Sequence, residues 1–196
     1  MIFAGIEALR LGEVFGGARR RIILYAPPYG NFAANESVRQ GLETALSRCG
    51  GTSLMACCLP LLSDDAWTRE VMGLLRPQAG VEVIEKELAA SRHFLHELQS
   101  LFGDRVELIE MPFRPSLPAL IVDDSVYFGH FAHSPVLTPD GFWCVADVPV
   151  EALFAMARTG RVPEKTAREE RAAFRIIAEC AQALERGKRL DAKTVA

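Results

Sequence analysis

His130 and His133 lie just beyond an apolar run that breaks at Gly129, and Asp123, Asp124 and Tyr127 precede them closely in the chain. An imidazole titrates near neutral pH, so either histidine is a candidate nucleophile or general base if a carboxylate fixes its tautomer. Asp123 is the carboxylate this stretch offers for that role. The same residues also have a purely structural reading, in which turn aspartates satisfy backbone groups and the histidines are packed or solvated loop residues. Strand alternation sends Asp123 and Asp124 to opposite faces, so both cannot aim at one point. Two histidines plus an aspartate could also hold zinc or iron. The spacing is not that of HExxH on a helix and no further anchoring motif accompanies it, so no metal and no cofactor are expected.

These side chains need a hairpin to carry them. Ala119 to Val122 is apolar, stops on the paired aspartates, and restarts at Val126-Tyr127-Phe128 before Gly129. That pattern predicts two antiparallel strands whose far end presents His130 and His133. A second candidate wall is the loop PPYGNFAANES, which follows an apolar strand at Arg21 to Ala26 and precedes a helix from about Ser37 to Cys49. Ligands of α/β sheets commonly bind at such a position, and Tyr29, Asn31 and Asn35 offer hydrogen-bonding groups there. The alternative of equal weight is a βα loop in which Asn35 and Ser37 cap the helix. The expected pocket lies between the hairpin (Asp123, Tyr127, His130, His133) and this loop (Tyr29, Asn31, Asn35).

Along the rest of the chain, strand-like and helical periods alternate. Thr52 to Leu59 and Val106 to Glu110 read as strands, Val81 to Ile84 as a short one, and 85–102 as a helix carrying Leu88, Phe94, Leu95, Leu98 and Leu101. Phe142 to Val145 adds a strand and Val150 to Arg158 a helix. The order predicts an α/β fold, a mixed and largely parallel sheet with helices on both faces. One domain spanning 1–196 is expected, with an N-terminal helical appendage (1–17), a long C-terminal helix (164–186) and a polar, frayed tail.

Composition narrows the function classes. With 196 residues, 49% hydrophobic and 24% charged, at mean hydropathy +0.12, the chain can bury a full core. A formal net charge of −3 gives no global pull toward nucleic acid or an anionic membrane. Five cysteines at 49, 57, 58, 144 and 180 form no CxxC pair, which fits neither a disulfide framework nor a zinc knuckle and suits a reducing cytoplasm. No stretch approaches the ~20 apolar residues that span a bilayer. His93 and His96, beside Glu97, share a helix face that is expected to be solvated. Cys144 pairs on paper with the two histidines as a thiol nucleophile, but Trp143 and Val145 argue for burial.

At the hairpin the chain resembles the phospholipase D-like superfamily, whose signature runs His, any residue, Lys, four residues, Asp, and then a strand ending in Gly-Ser or Gly-Thr. Asp123 falls at the acidic position, and LIVDDSVYFG reproduces the strand, turn and strand ending in glycine. The likeness covers roughly 20–158. Counting back from Asp123 puts Pro118 at the lysine and Ser116 at the histidine, and neither can attack phosphorus or grip phosphoryl oxygens. His130 follows the strand glycine, where the family usually has a small hydroxyl residue. The resemblance therefore implies the family's α/β sandwich with a degenerate site, acting as a ligand-binding or regulatory module for a small or phosphate-containing molecule, and a homodimer. The rivals are a phosphodiesterase or phosphatase using His130 or His133, and an assembly protein.

Overall fold

The computed structural model describes residues 1–25, 33–60, 66–75, 77–130, 140–164 and 166–190. Eight strands form one sheet: β1 (Ile2–Ala4), β2 (Arg21–Leu24), β3 (Ser53–Cys58), β4 (Val106–Glu110), β5 (Ala119–Val122), β6 (Ser125–Phe128), β7 (Phe142–Asp147) and β8 (Lys188–Leu190). Their spatial order is β1-β7-β6-β5-β2-β3-β4-β8. The helices are α1 (Leu11–Gly17), α2 (Glu36–Leu46), α3 (Ala66–Leu75), α4 (Val81–Phe102), α5 (Val150–Arg158) and α6 (Arg168–Arg186).

The class is α/β, with helices on both faces. Period-two alternation along the central strands divides the core. Ile23, Cys57, Ile121 and Val126 face α3, α5, α6 and the start of α4 (Ile84, Leu88). Ile22, Leu24, Leu54, Ala56, Leu120 and Trp143 face α1, α2 and the later part of α4 (Phe94, Leu95, Leu98). Burying two faces requires the near-continuous apolar runs that the sequence shows at β2, β3 and β5.

The expectation of a largely parallel sheet is corrected. Among the described residues, only β2 with β3 and β3 with β4 run parallel. The other five pairings are antiparallel. Among the described residues, only the crossovers through α2 and through α3–α4 return a strand in the same direction; the β5–β6–β7 meander, which meets β2 through β5, and the strands β1 and β8 supply the rest.

Three boundaries also differ from expectation. The start of the chain is helical only over Glu7–Leu9 and Leu11–Gly17: Ile2–Ala4 is a strand that pairs with β7, Ile2 opposite Cys144, and Leu9, Leu11 and Phe15 are buried. The spacing of Ile2, Ile6 and Leu9 is helical, but the edge of β7 takes up Ile2–Ala4 as a strand instead. Val81–Ile84 is the first turn of α4, because Ile84 and Leu88 go to the core while Val81 and Val83 stay about half exposed, a helical and not an alternating pattern. The C-terminal helix begins at Arg168, and Lys188–Leu190, expected to fray, pairs antiparallel with β4.

Two glycines set how α1 meets α2. A Cβ on Gly41 would collide with the Gly12 carbonyl, and one on Gly12 with Ser37, so the two helices touch backbone to backbone. The C-terminal end of α2 is closed by Arg105, whose guanidinium donates to the carbonyls of Leu46 (2.6 Å) and Arg48 (2.8 Å).

Candidate functional site

The sheet has two chemically different ends. At one, β2, β3 and β4 finish, β5 begins, β6 finishes and β7 begins, so Tyr25, Leu59, Met111, Ser116, His130 and Phe142 gather along one rim. At the other end, the β5–β6 turn lies beside the start of β2.

Asp123 occupies that second end. It is the first residue of the turn, with a positive φ of 51°, a conformation Asp tolerates better than most side chains. Its Oδ2 accepts the backbone N–H of Arg19 (2.9 Å), and Oδ1 accepts those of Arg20 (2.8 Å) and Arg21 (3.1 Å). Burial pushes this carboxyl up, but the three backbone donors and the Arg20 charge outweigh it and hold the pKa below the usual value. Asp124 beside it pairs with Arg20, and Arg21 pairs with Glu151.

His130 sits at the first end, so an Asp123–His130 pair is not assembled. Six residues lie between them, most of them in extended β6, so they stand roughly 20 Å apart. Neighbours along a hairpin strand are not neighbours in space when one lies at the turn and the other at the open end. The His130 ring stacks on Phe142, centroids 4.4 Å apart and planes within 7°. Gly141 permits this, since a Cβ there would strike the imidazole. Among the described residues, the buried Nδ1 has no hydrogen-bond partner. Tyr127 turns to the opposite face, packing with the layer that contains Trp143, and burial raises its phenol pKa.

Asn35 is a helix cap: its Oδ1 accepts the Val38 N–H at 3.1 Å. His133, Tyr29 and Asn31 lie outside the described residues, and so does the part of the expected pocket that they would form. Cys144 is half-buried in β7, opposite Ile2 and Phe128. His93 and His96 border a shallow cavity of about 460 Å³ between α2 and α4, with His93 Nε2 3.4 Å from Glu97. Among the described residues, no three of His, Cys, Asp or Glu converge as a metal-binding set.

What sequence reasoning missed is Glu179. This α6 carboxylate reaches the first rim, where Oε1 accepts the Tyr25 hydroxyl (2.6 Å) and the Ser116 backbone N–H (2.7 Å), while Oε2 accepts the Ser116 hydroxyl. Tyr25 is only 1% exposed. Burial first, and then Glu179, pushes its phenol pKa well above the usual value. On the same rim Arg92 donates to the Leu59 carbonyl (2.9 Å) and to Glu110 (2.7 Å). No local motif announces Glu179, because its partners lie 154 and 63 residues away. Beneath it, the Cys57 thiol is pushed up by a hydrogen bond with Cys180 and by burial, and burial takes Cys58 up to about 12, so both behave as inert core groups.

No family model matches the chain, and no curated protein matches it. Among solved structures it is similar to TrmBL2, described as an archaeal chromatin protein that shows a novel mode of DNA binding, with a TM-score of 0.45 and 11% identity. The match covers 97% of this chain and 54% of the neighbour, so the chain spans about half of that protein's length. Among the described residues, no helix is long and apolar enough to cross a membrane.

Proposed function

We propose that this chain is a non-catalytic ligand-binding or regulatory module built on a phospholipase D-like plan. The observation that carries the reading is the fate of the motif positions. Ser116, at the histidine position, commits both its amide and its hydroxyl to Glu179. Pro118, at the lysine position, is buried and has no donor. Asp123 is occupied by three backbone amides at the far end from His130. The chemistry of that motif needs an imidazole to attack phosphorus and an amine to hold phosphoryl oxygens, and Ser116 and Pro118 supply neither. The carboxylate that the motif would supply is instead a structural acceptor.

The test is turnover. Purified protein incubated with bis-p-nitrophenyl phosphate and with p-nitrophenyl phosphate is expected to release nitrophenol no faster than its His130→Ala and His133→Ala variants. Hydrolysis that either substitution abolishes sinks this reading in favour of an enzyme.

A further inference from the structure

The first turns of α6 carry Arg168, Arg171 and Arg175, all exposed. At 100° per residue these three fall within a sector of roughly 60°, and they span roughly 10 Å along the axis. Glu169 and Glu170 project to other sectors of the helix. Among the described residues none of the three arginines forms an ion pair. Like charges at i,i+3 and i,i+4 repel, so an anion beside this stripe relieves unfavourable pairs.

The stripe borders a groove of about 680 Å³ between α6 and the segment that precedes it. Its apolar surface comes from Val162, Pro163 and Phe174, with Val162 65% exposed, and Glu164 contributes a carboxylate. The volume falls in the range of small-molecule pockets. Guanidinium forks match phosphate and carboxylate oxygens two at a time.

We infer that this groove binds a small organic anion bearing a phosphate or clustered carboxylates on an apolar body. The anionic end meets Arg168, Arg171 and Arg175; the body covers Val162 and Phe174. A nucleic-acid backbone fits less well, since a duplex presents a charge every ~1.7 Å and calls for a longer cationic track. An apolar floor adds nothing to such a contact. The stripe ends one turn before Glu179 on the same helix face, where that carboxylate is held by Tyr25 and Ser116, and the inference does not depend on the function proposed above.

The probe is 1-naphthyl phosphate, titrated by its own fluorescence at low salt. Saturable binding is expected, weakening when salt is raised and falling by roughly tenfold or more in an Arg171→Gln/Arg175→Gln double variant. A Val162→Asp variant, which keeps every arginine, is expected to weaken it as well, and 1-naphthol and inorganic phosphate should each bind less tightly than the joined molecule. Absence of saturation, binding unchanged in both variants, or equal affinity for inorganic phosphate overturns the inference. So does a short DNA duplex that binds more tightly through the same arginines.

Discussion

Asp123 Oδ1 lies 2.8 Å from the backbone nitrogen of Arg20, 103 residues earlier in the chain. The contact joins the tip of a late hairpin to the start of the first central strand. With its two flanking bonds it makes Asp123 a clasp for three successive amides. Replacing Asp123 with Ala removes all three acceptor contacts and forces an ordinary side chain into a positive-φ position. Urea denaturation is expected to show a loss of about 1–3 kcal/mol, with Asn, which keeps one acceptor and tolerates the conformation, losing less.

The same clasp sets an acid limit. A carboxyl held below its unfolded value contributes stability that is fully present above the unfolded pKa and is lost as pH falls through the folded one. Asp123 and Glu151 are both held low, Glu151 by Arg21. Stability should therefore decline as pH drops below about 4. In Asp123→Asn that decline should be shallower, as measured by chemical denaturation across an acid series. An unchanged acid profile would remove Asp123 from the account.

Tyr25 gives the opposite sign at high pH. Its raised pKa means the bond to Glu179 is fully present below about 10, the unfolded value, and is lost as pH climbs through the folded one. Absorbance titration of phenolate in the native protein should find Tyr25 silent near pH 10, and Tyr25→Phe should leave that part of the curve unchanged. Glu179→Ala should lower stability by about 1–3 kcal/mol, by leaving the buried phenol without its acceptor.

Gly41→Ala probes the helix pair. The new methyl meets the Gly12 carbonyl, a backbone atom that cannot swing aside, so α1 and α2 must separate. A loss of about 1–3 kcal/mol is expected by denaturation. Ala at Gly17, which has open space around it, should be far milder.

Much of the fold was legible because two-sided burial writes itself into composition. The apolar runs of β2, β3 and β5 and the apolar stripe of α6 are local signals, and β4 and α5 match their expected bounds. Sheet direction was not legible, since it depends on which strands meet and not on any one of them. The edge strands β1 and β8 were hidden for the same reason: three residues carry almost no period. At the site, the hairpin is readable, but nearness along a strand is not nearness in space: the turn puts Asp123 and His130 at opposite ends. Glu179 looked like an ordinary helix-surface acid until tertiary packing brought Tyr25 and Ser116 to it.

The pairing of Ile2 with Cys144, and of the Met1 amine with the Val145 carbonyl at 3.0 Å, carries a temporal consequence. As a ribosome releases this polypeptide, β1 must wait, edge open, until some 140 further residues have emerged. During that interval an apolar ribbon is free to find the wrong neighbour. A nascent-chain chaperone would therefore meet β1 unpaired until β7 has been made.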